Sequence, residues 1–345
     1  MAHLFSPLVC RGIEIKNRLV FAPVVTNFGL RSSKALNFFR ERARGGAGLI
    51  IVHGTPVDFF LKAGAAEILV PLVAKVHEEG AKIVMQLWHG NELNGQAVAP
   101  SPRWKYREIT KGEIKTVIQK FTQAVEICQQ AGFDGAEVHG AHGYFINQFF
   151  SPLTNQRQDE YGGTVEKRLR LAKELIKTMR QAAGEKFLLL YRHSAIDGLP
   201  SGTTIEDSIL LAQTLEAYGL DIFDVSAGFG AESALSIPDA SAPLATHAHL
   251  AAQIKAHISI PVIAVGRMHS PEVAEKVLAA GKADLIALAR QLLADPYWPE
   301  KVRTKKEKEI NFCHYCNICT EEMRAGRPIF CPQNPRLGKE DQPGD

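Results

Sequence analysis

Eight short apolar runs, separated by stretches with helical spacing, constrain this chain more than any other feature. They are Arg18–Val25, Gly48–Thr55, Lys82–His89, Gly135–His139, Phe187–Ser194, Ile222–Ala227, Pro261–Arg267 and Asp284–Arg290. Several are almost continuously apolar, such as Val-Ile-Ala-Val from Val262 and Leu-Ile-Ala-Leu from Leu285. A strand has this composition when both of its faces are buried, as in a parallel sheet covered by helices. Between the runs, Glu113–Ala131 carries Ile114, Val117, Ile118, Phe121, Ala124, Val125 and Cys128 on one helical stripe, and Glu166–Ala183 repeats the pattern. Ser270-Pro271-Glu272 is a helix start, and Ala131-Gly132, Tyr218-Gly219 and Ala280-Gly281 are helix stops. Eight such units suit a closed (β/α)8 barrel. A doubly wound open sheet shares the alternation, but no Gly-x-Gly-x-x-Gly follows any run; Gly228-Phe229-Gly230 lacks the third glycine. The expected fold is α/β, a (β/α)8 TIM barrel over residues 1–300 with a short Cys-rich extension over residues 301–345.

Composition removes several other classes. The 345 residues are 46% hydrophobic and 22% charged, which supplies a core and argues against disorder. Net charge is +3 from 40 basic and 37 acidic residues, which gives no nucleic-acid footprint. No apolar run is long enough to span a membrane. The opening Met-Ala-His-Leu-Phe-Ser-Pro lacks the basic and apolar regions of a signal peptide, so a cytoplasmic location is expected. A symmetric homo-oligomer is the prior for such a chain.

A barrel puts chemistry at the C-terminal ends of its strands, where the βα loops meet. Those ends read Pro23-Val24-Val25-Thr26, His53-Gly54-Thr55, Gln86-Leu87-Trp88-His89, His139-Gly140-Ala141-His142-Gly143-Tyr144, Arg192-His193, Ser226-Ala227-Gly228, Gly266-Arg267 and Ala289-Arg290. Any one histidine here could be a satisfied core residue. Their joint occurrence at strand ends points instead to a site.

From Leu4 to about Asp295 the chain resembles the Old Yellow Enzyme family of flavin oxidoreductases. The likeness rests on Lys16-Asn17-Arg18-Leu19-Val20-Phe21-Ala22-Pro23, on Gln86-Leu87-Trp88-His89-Gly90, and on Glu137-Val138-His139-Gly140-Ala141-His142-Gly143-Tyr144. That last block continues into Phe149-Phe150-Ser151-Pro152-Leu153-Thr154-Asn155 and Asp159-Glu160-Tyr161-Gly162-Gly163. The resemblance implies a non-covalent FMN at the barrel mouth. Pro23, Val24, Val25 and Thr26 would line the isoalloxazine, with the Thr26 hydroxyl one residue beyond the position the family usually uses. Gln86 would meet the pyrimidine edge, Arg192 would lie near N1, and Gly54 would let the ring approach the backbone. Gly266, Arg267, Ala289 and Arg290 fall where such barrels hold phosphate. His139 and His142 would bind an activating carbonyl oxygen, and Tyr144 would protonate the neighbouring carbon.

Four of the six cysteines cluster as Cys313, Cys316, Cys319 and Cys331. Two-residue gaps and a distant fourth cysteine followed by proline suit either an iron–sulfur cluster or a four-cysteine zinc site. The segment resembles the [4Fe–4S] stretch of 2,4-dienoyl-CoA reductase, 2-enoate reductase and trimethylamine dehydrogenase, which implies the cluster. Cys10 and Cys128 are expected in the core, and His314 beside the ligands. Larger relatives continue past this segment. The short remainder here leads to the expectation that electrons come from NAD(P)H directly, or from a redox partner protein through the cluster.

The expected activity is ene reduction, in which hydride from reduced FMN enters the C=C bond of a small α,β-unsaturated carbonyl or carboxylate compound. An iron–sulfur amine dehydrogenase and a non-catalytic electron-relay subunit are the rivals. Val25-Thr26 stands where the first would carry a flavin-linking cysteine. Ala227-Gly228-Phe229-Gly230-Ala231-Glu232 lacks the histidine that dienoyl-CoA reductases use.

Overall fold

The computed structural model describes residues 3–230, 233–340 and 342. Met1 and Ala2 of the N-terminal reading, and Ala231 and Glu232 of the loop reading, lie outside the described residues. Eight parallel strands close into a barrel: β1 (Leu19–Phe21), β2 (Leu49–Pro56), β3 (Lys82–Trp88), β4 (Gly135–Gly140), β5 (Leu188–Ser194), β6 (Ile222–Ser226), β7 (Val262–Ala264) and β8 (Leu285–Leu288). Each pairs with the next, and β8 returns to β1 with Ile286 opposite Leu19 and Leu288 opposite Phe21. Each of the eight apolar runs coincides with one barrel strand, two of them (at Pro56 and Gly140) ending one residue past the run, in the (β/α)8 order the sequence predicts.

Continuous apolarity has a direct cause here. Side chains alternate across a strand, so a strand between a filled lumen and a helical shell must be apolar at every position. Leu188 and Leu190 of β5 join the lumen core with Leu49, Ile51, Val84 and Ile222, whereas Leu189 and Tyr191 join the shell. A hairpin of Leu8–Cys10 and Ile13–Ile15 closes the N-terminal end, with Ile13 and Ile15 packed onto the lumen core. Cys10 packs there too, and Cys128 is buried on its helix.

The helix expected from Glu113 begins two residues earlier, at Lys111. Thr110 caps it by accepting the Glu113 N–H while Glu113 reaches back to the Thr110 N–H. All seven stripe residues of that helix are buried. The Glu166–Ala183 pattern resolves into two helices, Val165–Arg168 and Arg170–Ala183, with Leu169 between them. The break falls where the Arg168 guanidinium is drawn aside to the Phe150 and Gly163 carbonyls.

After β8 come short helices at Arg290–Ala294, Trp298–Arg303 and Ile318–Arg324, joined by irregular chain. This segment lies across the C-terminal rim. The Ile329 N–H donates to the Thr26 carbonyl, Asn27 donates to the Met323 and Arg327 carbonyls, and Asn334 donates to the Leu293 carbonyl. Arg42 and Glu340 form an ion pair at 2.8 Å, 0% and 3% exposed. No helix among the described residues is long and apolar enough to cross a membrane.

Candidate active site

The strand ends and the rim segment enclose a cavity of about 480 Å³, within the usual range for a small-molecule site. Thirteen of the residues expected at the mouth line it: Pro23, Val24 and Val25 after β1, Gly54 and Gln86 on β2 and β3, and His139, His142 and Tyr144 from β4 and its loop; Arg192 on β5, Gly266 and Arg267 after β7, and Ala289 and Arg290 after β8 complete the set. Of the four clustered cysteines only Cys319 reaches the wall.

Thr26 does not line the cavity. It is fully buried, its hydroxyl accepts from the Phe28 N–H at 3.3 Å, and its carbonyl is taken by Ile329. The rim segment draws this stretch of backbone to itself, so the mouth after β1 is apolar.

The loop after β4 sets the three residues expected to act. His139 is still in the strand, and the chain then turns through two left-handed residues, His142 at φ +59° and Gly143 at φ +74°. The turn is braced on every side. His142 N–H donates to Ser194 Oγ at 2.9 Å, Gly143 N–H to Asn147 Oδ1 at 2.7 Å, and Gln148 to the Gly143 carbonyl at 2.7 Å. Such bracing is what permits a non-glycine residue at positive φ. The His139 and His142 rings lie 5.4 Å apart at 90°, and the His139 and Tyr144 rings 4.8 Å apart. Tyr144 is 38% exposed and leans on Trp88.

Burial, reinforced by the Arg192 charge, pushes His139 down to about 3. Burial holds His142 well below the ordinary histidine range as well, with His139 and Arg192 adding to it. Both rings are therefore neutral at physiological pH. The Ala141 N–H donates to His139 Nδ1 at 3.3 Å, so the ring proton sits on Nε2. His142 Nε2 lies 2.7 Å from Ser226 Oγ, and Ser226 also lines the cavity.

Beneath these rings the lumen changes from apolar to polar. Gln86 Nε2 donates to Glu137 Oε2 at 2.7 Å, and Arg192 is paired with Asp224, its register partner on β6. Gly54 carries no Cβ where one would come within 3.1 Å of Gln86 Oε1, so the amide oxygen keeps its path to the mouth. At the opposite wall Gly266 takes φ +110°, and a Cβ there would meet His247 at 3.0 Å.

Two further cations stand at the β7 and β8 ends. Arg267 and Arg290 sit 4.7 and 4.6 Å from the Tyr315 ring centre, and the buried Arg267 Nε has no partner among the described residues. Tyr315 comes from inside the cysteine run, and its hydroxyl lies 2.8 Å from His269 Nδ1. An amide edge, three arginines and glycine-lined walls match what a flavin mononucleotide needs, an anionic and partly aromatic guest.

Residues that the sequence did not single out complete the mouth. His247 and Tyr315 line it, Glu137 and Asp224 lie under it, and the strand-end residues His53 and Ser226, expected there without a role of their own, line it too. For Glu137 a signal existed, because it is a charged residue on the same strand face as His139 two positions away. Tyr315 had no periodic signal.

The cysteines differ from the mouth in kind. Cys331 is buried, Cys313 and Cys319 half-buried and Cys316 exposed, all as free thiols. Cys313 feels the charges of Cys319 and Cys331, and Cys331 that of Cys316, so the four share one neighbourhood. Burial raises Cys313 to about 11 and also raises Cys319 and Cys331. Among the described residues no three His, Cys, Asp or Glu side chains stand close enough to hold a metal ion.

Residues 3–309 match the NADH:flavin oxidoreductase / NADH oxidase family. The chain belongs to that family. The "NADH oxidase" of Thermoanaerobacter brockii is 37% identical over 368 residues, covering 98% of this chain and 56% of that protein. The "cinnamate reductase" of Clostridium sporogenes is 31% identical, covering 99% and 59%. The solved structure of a 2-naphthoyl-CoA reductase superposes with a TM-score of 0.92 at 29% identity, over 99% of this chain and 58% of that one. The chain thus spans little more than half the length of these relatives.

Proposed function

We propose that this chain is the FMN-binding, substrate-reducing part of an ene reductase acting on an α,β-unsaturated carbonyl or carboxylate compound. The observation that carries the reading is the trio His139, His142 and Tyr144 on one braced turn over a polar layer that suits a flavin. When bound, FMN would take hydride from NAD(P)H and deliver it to the β-carbon of the substrate. The residues of this chain do the rest. Gln86 and Arg192 would orient the ring system, and Arg267 and Arg290 would hold the phosphate. Neutral His139 offers Nε2–H to the substrate oxygen, and His142 shares its Ser226 contact with the same oxygen, so negative charge developing there meets neutral donors. Tyr144 gives its phenolic proton to the α-carbon, and its exposure lets solvent replace that proton. The likeness to a cinnamate reductase supports this substrate class.

The four thiols suit a [4Fe–4S] cluster chemically, with Cys313, Cys316, Cys319 and Cys331 as ligands and zinc as the alternative occupant. A cluster would accept single electrons next to the mouth, which gives a redox partner protein or a further flavin segment somewhere to connect.

Anaerobically purified protein tests both parts. Bound FMN, iron and sulfide in 1:4:4 ratio, and reduction of enones or enoates but not oxidation of amines, are the expected results. Turnover of amines with no enone reduction would overturn the substrate assignment, and stoichiometric zinc would overturn the cluster.

A further inference from the structure

Glu137 and Asp224 are both 0% exposed and face the barrel lumen from β4 and β6. Between them they have four carboxyl oxygens. Gln86 satisfies Glu137 Oε2 and Arg192 satisfies Asp224 Oδ2. The remaining two, Glu137 Oε1 and Asp224 Oδ1, are buried and lack any donor among the described residues. The two carboxyls are themselves within hydrogen-bonding reach of each other. One proton placed between these two orphaned oxygens satisfies both.

The charge count agrees. The layer holds one cation, Arg192, and two carboxyls. With both ionised it would carry an uncompensated negative charge in a buried lumen, where an unpaired ion is costly. The titratable and charged groups that face Glu137 are Asp224 from β6 and Arg192 from β5, with His139 one pleat above on its own strand; Gln86 on β3 is neutral. Burial and the neighbouring Asp224 both drive Glu137 toward its neutral form.

We propose that Glu137 is a neutral carboxylic acid that donates through Oε1 to Asp224, and that this shared proton fixes the polar floor of the mouth. Two consequences follow for the floor. Glu137 Oε2 remains a fixed acceptor for the Gln86 amide, so Gln86 presents Oε1 upward rather than flipping. Arg192 is balanced by one carboxylate instead of two, so the floor carries no net charge. Glu137 is thus a positioning residue. Its effect on a flavin rests on the proposed function, but the proton itself does not.

Infrared spectroscopy of the flavin-free protein near neutral pH reads the proton directly. The expected result is a protonated-carboxyl C=O band that shifts in D2O and is lost in Glu137→Gln. Absence of such a band, or a band untouched by that substitution, overturns the proposal. FMN titrated into apoprotein supplies a second reading. Glu137→Gln keeps a neutral donor and should bind FMN as wild type does. Glu137→Leu strands Asp224 and frees Gln86, and should bind it roughly 10- to 100-fold more weakly. If Glu137→Gln binds as poorly as Glu137→Leu, an ionised carboxylate is required and the proposal fails. If wild-type protein binds no FMN, the functional reading fails while the infrared result still decides the proton.

Discussion

The barrel mouth and the cysteine-bearing rim segment are neighbours built on opposite plans. At the mouth, strand register fixes the height of each side chain, with Gln86 held on Glu137 and Arg192 held on Asp224 in buried contacts. In the rim segment the longest helix is the seven-residue Ile318–Arg324, and the four thiols share a neighbourhood without converging. The mouth is organised by the fold before any guest arrives. If the thiols hold the cluster proposed above, that guest would draw them together, because metal binding offsets their desolvation and deprotonation.

Replacing Tyr144 is the strongest way to test that contrast. Tyr144→Phe should cost roughly 100- to 10,000-fold in turnover of an enone, the range of a lost general acid, while bound flavin is still reduced by NAD(P)H. Steady-state and stopped-flow measurements separate the two half-reactions. An equal loss in both would mean that Tyr144 shapes the mouth rather than donating a proton.

The second test works on the rim. Cys313→Ser should abolish iron binding and raise hydrogen exchange through residues 313–331 while leaving exchange in the barrel strands unchanged. Global loss of protection would show that the two regions are one cooperative unit.

Acid should act through the buried histidines of the barrel, of which His53, His139 and His247 line the mouth. His139 at about 3, His193 at about 3, and His53 and His247 at about 4 all lie below the unfolded value near 6.5. Their folded pKa values are depressed, so the unfolded chain binds more protons below that point. The stability they contribute is complete above pH about 6.5 and is lost as pH falls toward 4 and then 3, by up to about 1.4 kcal/mol per pH unit for each histidine. The melting temperature should therefore fall steadily from pH 7 to pH 4. His139→Asn should flatten part of that slope, and an unchanged slope would remove His139 from the account.

The smallest effect belongs to neither region. Trp104 is 97% exposed on the loop after β3, and Trp104→Ala should move stability by less than about 0.5 kcal/mol. A larger change in denaturant titration would reveal a packing partner for that ring.

Legibility in the sequence follows the same divide. The barrel is readable because burial on both strand faces leaves a continuous apolar signature, and because proton-carrying residues stand where strands end. Thr26 reads as a mouth residue and is not one, since its orientation depends on a hydrogen bond to Ile329, about three hundred residues away in the chain. Tyr315 escapes notice as a mouth residue, and the role of Ser226 does so although its strand end is read correctly, for related reasons. Tyr315 reaches the arginines only after the rim segment folds back, and Ser226 gains meaning only from its contact with His142. Glu137 is the instructive case. Its place two residues before His139 is visible, but Asp224 comes from another strand, and only closure of the barrel turns both carboxyls into one lumen.

The Arg42–Glu340 pair gives the rim segment an unusual mechanical property. Helix Arg290–Ala294 fixes the segment where it leaves β8, and the buried pair, with Asn334 on the Leu293 carbonyl, fixes it again beyond the last cysteine. Between those two moorings the thiols sit on a tethered span. Because Asn27 and Ile329 add further ties between the moorings, any rearrangement of the thiols is confined to a few residues while the segment stays docked on the barrel.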